Sequence, residues 1–316
     1  MRYAIRKCLI LLASLLVMSF LTFFAFTVIP GDSAAASLGT EATPEQIAAL
    51  QKTYGLDEPL PVRYAHWLSG ALSGDFGTSS AYGVGALALL ADKFPTTLTL
   101  GLLSILLILL IALPLGILTS RRRGTAGDRI FTLVNQTFMS IPPFFLGMLI
   151  TLLFGLLLRW FQPGSFVKPQ ENFVKSLSFL FYPALAIAIP KAAMLVRFIR
   201  TSFYKERSQD YVRTARSKGM TERQVIFSQI LKNAMIPVIT FFGMMIAEIL
   251  AGSIIVEQVF NLPGIGRLLV VSIANRDNTV VQAIVLYTAG LVLVINALVD
   301  LMYHVLDPRV AAGGAE

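Results

Sequence analysis

The sequence is poor in the residues from which metal sites and hydrolytic active sites are built. Of its 316 residues, 14% are charged, one is cysteine and two are histidine. Because Cys8 stands alone, an internal disulfide and a thiolate metal cluster are excluded, and His66 and His304 are too far apart in the chain to suggest a site. A G-x-x-x-x-G-K-[ST] phosphate-binding loop is also missing. We therefore expect no cofactor and no ATP hydrolysis by this chain.

Apolar residues dominate what is present. They make up 55% of the chain, and the mean hydropathy is +0.71, which is too apolar for the surface of a soluble fold. Segments long enough to cross a bilayer need about 20 apolar residues. Six such segments are predicted, at about 9–29, 98–119, 134–158, 177–199, 235–256 and 280–303. The sequence thus predicts an all-α integral membrane protein.

The first apolar segment has a second interpretation, a cleaved signal peptide processed near Ala34-Ala35-Ala36. Its apolar run of 21 residues exceeds the roughly 7 to 15 residues of a signal-peptide core. We interpret it as a retained helix. Residues 30–97 then form the longest segment outside the membrane, with short helices predicted after Thr43, at about 62–71 and at about 84–94.

The distribution of positive charge predicts the orientation. The N-terminus, residues 121–129, residues 197–232 and Arg309 carry 17 Lys or Arg, and the loops on the other side carry 8. Because positive residues collect in cytoplasmic loops, both termini and the central loop are predicted to be cytoplasmic. The net charge of +8 is therefore interpreted as a topology signal, not as a sign of nucleic-acid binding.

The stretch from Asp210 to Pro237 is the one long polar helical segment. Gly219 can end a first helix, and Thr221 with Gln224 three residues later has the spacing of a capping box that starts a second. Val225, Ile226, Ile230 and Leu231 fall on one face of that second helix. From charge alone, this segment could simply anchor the neighbouring spans to anionic lipid.

These residues resemble the cytoplasmic coupling loop of ABC importer permeases, which docks into a cleft on the ATP-hydrolysing subunit. Arg213-Thr214-Ala215 stands where that loop usually carries Glu-Ala-Ala, Gly219 stands at its glycine, and Ile236-Pro237 closes it. Arg213 and the late proline depart from the general pattern and are similar to the peptide and nickel branch of the family. The resemblance implies docking contacts at Arg213, Thr214, Ala215, Lys218, Gly219, Met220, Thr221 and Glu222.

Other strings extend the resemblance over nearly the whole chain. Ile29-Pro30-Gly31-Asp32, the GDFGTS string at 74–79 and the EQVFNLPGIGR string at 257–267 are similar to the B subunits of dipeptide and oligopeptide permeases. The resemblance implies the ABC type I importer permease fold, with six transmembrane helices and a long extracytoplasmic loop after the first. It implies segments 1–93 (first helix and outer loop), 94–303 (five helices, with a coupling loop at 200–234) and 304–316 (cytoplasmic tail).

A few residues inside the spans are candidates for the translocation pathway. Lys191 and Glu248 are ionisable groups at membrane depth, where each needs a partner or an aqueous path, so we predict that they pair or that one lines the pathway. Pro142 and Pro143 are expected to kink the third span. The string from Ile141 to Gly147 resembles a family signature, which makes Pro142 and Phe144 further pathway candidates. Asp300 is interpreted as an interfacial residue.

The resemblance also implies partners: a homologous second permease, two cytoplasmic ATPase subunits and an extracytoplasmic solute-binding protein, in the inner membrane of a prokaryote. The expected cargo is a dipeptide or oligopeptide, with nickel or a metal chelate as the alternative. Two other classes remain for comparison. A secondary transporter would show inverted repeats with paired broken helices, and a membrane-embedded enzyme would show clustered His, Cys, Ser or carboxylate groups.

Overall fold

The computed structural model describes residues 2–28, 43, 58–120 and 124–306. In these ranges the secondary structure is helical, apart from one isolated β-bridge between Thr78 and Gly85. The helices are α1 Arg2–Val28, α2 Leu60–Leu72, α3 Ala86–Ser120, α4 Ala126–Ser140, α5 Pro143–Ile150, α6 Phe173–Arg207, α7 Asp210–Ser217, α8 Glu222–Gln224 with Leu231–Gly252, α9 Ile254–Val259, α10 Ile265–Ala274 and α11 Asn278–Leu306. Two π-helical segments complete this list: Thr151–Leu157 continues α5, and Val225–Ile230 joins the two parts of α8.

Five of these helices are long and apolar enough to cross a membrane, and the pair α4 and α5 makes a sixth if it counts as one broken span. The predicted all-α membrane fold is confirmed, and the predicted six spans are found if this pair counts as one. The third of them is not a continuous helix, because α4 and α5 meet at an angle of 96°.

Proline chemistry explains this break. A residue before proline is pushed out of the α-helical region, and Ile141 accordingly has φ −77° and ψ 123°. Pro142 is extended in turn, and Pro143 starts α5, where a missing backbone N–H costs nothing because the first turn leaves it unpaired anyway. The two prolines therefore end one helix and begin another.

The outer segment also differs from its prediction in one place. The helix predicted at about 62–71 is confirmed as α2. The short helix predicted at about 84–94 is not a separate element, because α3 runs unbroken for 35 residues from Ala86 to Ser120. The helix expected after Thr43 and the string Ala34-Ala35-Ala36 lie outside the described residues.

The chain divides into two compact units. The first comprises residues 1–97 with 263–294, and in it α1 packs on α2 through Phe23 and Trp67. The fully buried Asp277 accepts hydrogen bonds from the Ser79 hydroxyl and the Val280 amide, which joins the loop after α2 to the turn between α10 and α11. A buried carboxylate that is satisfied in this way fixes local backbone geometry.

The second unit comprises residues 98–262 with 295–316 and is organised around α6. Two thirds of the membrane-spanning part of α6 is buried, more than in any of the other four unbroken spans. Its small and branched residues, among them Ala184, Ala188, Ala192 and Leu195, are fully enclosed. Small residues let backbones approach closely, which is how helices associate within a bilayer. Helix α6 thus forms the rigid axis to which the polar segment is attached.

Candidate functional site

The polar arm, as we name residues Asp210–Gln224, follows α6 almost without interruption. Helix α6 ends at Arg207 and α7 begins at Asp210, so only Ser208 and Gln209 separate them. The arm consists of α7, a tight turn and the start of α8. The polar arm is therefore joined to the central helix of its unit by a connection of two residues.

Gly219 forms the turn as predicted. Its φ is +80°, a left-handed conformation that side chains with a Cβ adopt only with strain. The Gly219 amide donates to the Arg216 carbonyl at 2.9 Å, and the Met220 amide donates to the Ala215 carbonyl at 3.3 Å. This pair of bonds is the Schellman motif, which satisfies the last carbonyl groups of α7.

The predicted capping box at the start of α8 is confirmed. The Gln224 amide donates to Thr221 Oγ1 at 3.3 Å, and the Thr221 amide donates to Gln224 Oε1 at 2.9 Å. Both ends of the turn are therefore satisfied by local bonds. The turn keeps its shape without help from a partner.

A small apolar core lies beneath the arm. It contains Phe203, Val212, Ala215, Val225 and Ile230. Ile226 and Leu231, which the helical periodicity places with Val225 and Ile230, are only half-buried. The reason is the π-helical segment, whose wider turn puts Val225 and Ile230 five residues apart on the same side.

The surface of the arm is polar and accessible. Of the eight predicted docking residues, Met220 is half-buried and Ala215 lies in the core with 7% of its surface exposed, so the Ala215 side chain is not available at this surface. The other six are exposed: Arg213, Thr214, Lys218, Gly219, Thr221 and Glu222. Arg216 and Glu222 form an ion pair at 2.8 Å across the turn. The polar arm therefore presents a largely basic surface.

Tyr211 ties the arm to the end of α6. Its hydroxyl donates to Glu206 Oε2 at 2.6 Å. Burial, reinforced by this hydrogen bond, raises the pKa of Tyr211 to about 12. The phenol is therefore neutral and remains a donor over the whole physiological pH range.

An ion pair that the sequence analysis missed lies close to the arm. The Arg200 guanidinium of α6 contacts Asp128 of α4, with 11% and 12% of the two side chains exposed. Asp128 also accepts from the Gly124 amide at 2.9 Å, and Arg200 lies over the Phe131 ring at 5.2 Å. In the sequence, Arg200 is one of the basic residues that indicate topology. Asp128 is conspicuous as the only acidic residue between positions 93 and 170, but nothing local in the sequence identifies Arg200 as its partner.

The structure brings Lys191 and Glu248 together. Lys191 Nζ contacts Glu248 Oε1, and 15% of the lysine side chain but 64% of the glutamate side chain is exposed. Pro142 and Phe144 lie elsewhere, at the break between α4 and α5, where Phe144 is exposed. Among the described residues, no group of three or more His, Cys, Asp or Glu is placed to hold a metal ion.

Comparison with known families identifies the chain. Residues 112–312 match the model of the inner membrane component of binding-protein-dependent transport systems, and residues 1–101 match the model of the N-terminal part of such a membrane component. The chain belongs to this family. It is a multi-pass membrane permease subunit that works with a binding protein and is powered by a separate ATPase, and it is not itself an enzyme.

Curated relatives match along almost the full length of this permease. It is 33% identical over 308 residues to a probable peptide ABC transporter permease of Sinorhizobium fredii, covering 98% of both chains. It is 35% identical over 311 residues to the oligopeptide transport permease AppB of Bacillus subtilis, again covering 98% of both. It is 36% identical over 310 residues to the glutathione transport permease GsiC of Salmonella choleraesuis, covering 98% of this chain and 99% of the relative.

A solved structure supports the fold of the permease. An amino acid ABC transporter crystallised with histidines matches with a TM-score of 0.51 at 17% identity, covering 68% of this chain and 92% of the other. Together with the family match, this confirms the predicted type I importer permease fold.

Proposed function

We propose that this permease forms half of the translocation pathway of an ATP-driven importer for dipeptides or oligopeptides. Full-length relatives named as peptide, oligopeptide and glutathione permeases support a peptide-like cargo. Nickel or a metal chelate is the alternative that the sequence analysis left open. The family's dependence on a binding protein weighs against a secondary transporter.

In this proposal the other half is a homologous second permease, and two ATPase subunits bind on the cytoplasmic side. A solute-binding protein delivers cargo at the outer face. The excess of Lys and Arg near both termini and in the polar arm supports a cytoplasmic location for the termini and the arm. The membrane of this proposal is the inner membrane of a prokaryote. The segments 1–93, 94–303 and 304–316 remain our proposed division of the chain, with the coupling loop at 200–234.

The observation that carries the proposal is the self-supported polar arm. Its turn is capped on both sides, its underside packs on Phe203 of α6, and six of the eight predicted contacts are exposed. An ATPase that binds the polar arm can displace α6 and α8 as rigid bodies. Such coupling requires that nucleotide state favours one of two arrangements of the helices. We propose Arg213, Thr214, Lys218, Gly219, Met220, Thr221 and Glu222 as docking contacts, with Ala215 supporting them from below.

The test is Gly219→Pro in the complete complex, reconstituted in liposomes. Proline fixes φ near −65° and lacks the N–H that bonds the Arg216 carbonyl, so the turn cannot form. We expect at least a tenfold fall in ATP-dependent peptide uptake while the complex still inserts into the membrane. Gly164→Pro is the matched control, because Gly164 also has a positive φ, +84°, in open space away from the arm. Normal uptake by Gly219→Pro, or failure of any ATPase to copurify with the wild type, would contradict the proposal.

A further inference from the structure

The Lys191–Glu248 pair occupies a defined place between two antiparallel spans. Seven residues from Lys191 along α6 lies Phe198, and seven residues back from Glu248 along α8 lies Phe241; these two rings stack with centroids 4.3 Å apart. At 1.5 Å per residue the ion pair and the ring stack are roughly 10 Å apart along the same seam. The aromatic pair fixes the register of the two helices and therefore the position of the charges.

The two charges differ in accessibility. Lys191 is largely enclosed, whereas most of the Glu248 side chain is open, with 15% and 64% exposed respectively. A carboxylate within a span is too costly to face hydrocarbon. The open side of Glu248 must therefore face an aqueous path or another protein surface.

No other formal charge lies near the pair in the sequence of either span. Lys191 is the only Lys, Arg, Asp or Glu between positions 176 and 196, and Glu248 is the only one between 233 and 252. Each of the two has the other as its ion-pair partner. A solute that enters here must either leave the pair intact or replace both of its partners.

We propose that Lys191 and Glu248 form a charge-matching site for zwitterionic solutes, which are amino acids and peptides with free termini. The carboxylate of the solute binds Lys191 and its ammonium group binds Glu248, so every charge stays compensated while the pair opens. A neutral solute offers neither replacement partner, and a solute with one charge leaves one protein charge unpaired. This inference rests on the proposed function and deepens it, because it names the chemistry that the pathway recognises.

The test measures direct binding and so avoids selection by the solute-binding protein. The purified permease complex with its partner subunits is placed in lipid nanodiscs, and saturation-transfer NMR follows three ligands: Ala-Phe, N-acetyl-Ala-Phe and Ala-Phe amide. For the wild type we expect each blocked peptide to bind about tenfold more weakly than Ala-Phe, since a charged hydrogen-bonded contact is lost.

Two single variants distinguish a ligand site from a structural ion pair. In Lys191→Met, amidation of the peptide should cause no further loss of affinity, whereas acetylation should still weaken binding. In Glu248→Gln, acetylation should cause no further loss of affinity, whereas amidation should still weaken binding. A purely structural pair would not match each variant to one end of the peptide, so equal effects of both blocking groups in both variants would overturn the inference. Wild-type binding that is indifferent to both blocking groups would overturn it as well.

A parallel uptake assay separates this inference from the proposed function. The wild-type complex in liposomes, with its binding protein and internal ATP, is tested for uptake of labelled Ala-Phe. Uptake without the expected NMR pattern rejects the charge-matching site and keeps the importer. The wild type could instead neither take up nor bind the peptide, and bind nickel in a way that Glu248→Gln abolishes. In that case the peptide function and this inference both fail.

Discussion

Phe198 of α6 and Phe241 of α8 stack face to face, with ring centroids 4.3 Å apart and ring planes 8° from parallel. Lipid tails are as apolar as these side chains, so close packing, not exclusion of water, holds the two spans together here. An aromatic pair is worth about 0.5–1.5 kcal/mol beyond its buried area. We expect Phe241→Leu to lower the unfolding free energy of the complex by about 1 kcal/mol, as measured by its thermal midpoint. Phe173→Leu, at a ring that is 58% exposed at the start of α6, is the control and should change little.

Breaking the Arg200–Asp128 pair should lower the free energy of unfolding much more than breaking an exposed ion pair does. Arg200→Gln removes the guanidinium that contacts the largely buried carboxylate of Asp128, and removing one member of such a pair lowers the free energy of unfolding by about 3 kcal/mol. The double variant Arg200→Gln with Asp128→Asn should recover part of this loss, because the carboxylate charge is removed together with the guanidinium charge. Unfolding midpoints in detergent measure both effects.

The control for this prediction is Arg216→Gln. Its partner Glu222 is 60% exposed, and exposed pairs contribute about 0.5 kcal/mol. If Arg200→Gln were no more harmful than Arg216→Gln, the buried pair would have no special role in holding α4 against α6.

Gly243 is needed for the close approach of α8 and α11. A Cβ at this position would lie 2.5 and 2.6 Å from the two methyl carbons of Val299. Gly243→Ala should therefore destabilise the permease by about 1–3 kcal/mol through overpacking. Adding Val299→Ala should relieve the clash and restore the thermal midpoint. Gly85→Ala has open space around the new Cβ and should be close to neutral; an equal loss in both single variants would argue against this packing.

Tyr211 should make the stability of the polar arm sensitive to high pH. The folded state holds the pKa of Tyr211 at about 12, whereas an unfolded tyrosine titrates near pH 10. Because the folded pKa is the higher one, its contribution is complete below about pH 10 and is lost as the pH rises toward about 12. Tyr211→Phe should abolish this loss and cost about 1 kcal/mol at pH 7 through the missing bond to Glu206. Thermal midpoints between pH 8 and 11 check it, with Tyr82→Phe, at an exposed tyrosine, as the control.

Local chemistry in the sequence predicted much of the polar arm. Gly219, Thr221 and Gln224 form the turn and the capping box that their spacing indicates, because these motifs depend only on neighbouring residues. The apolar spans were also predictable, since length and hydropathy decide whether a helix can cross a bilayer. The two prolines after Ile141 marked a kink, but a break of 96° also depends on how α4 and α5 pack on α6.

What the sequence could not predict depends on contacts between distant segments. Arg200 and Asp128 are 72 residues apart, and Ser79 and Asp277 are 198 apart, so no local pattern links them. Ala215 belongs to a motif that the resemblance associates with docking, yet tertiary packing buries it. Ile226 and Leu231 were placed on the buried face by an ideal α-helical period, which the π-helical segment interrupts.

The π-helical segment Val225–Ile230 determines where this chain can tolerate a deletion. Such a turn holds one residue more than an α-helical turn, while the helices on either side keep their phase. A variant shortened by one residue within this segment would close it to α-helical geometry and keep Phe241 and Glu248 facing α6. Shortening Leu231–Gly252 by one residue would instead rotate part of that span by about 100°. Length differences among related permeases should therefore accumulate at this turn, which joins the polar arm to the membrane-spanning part of α8.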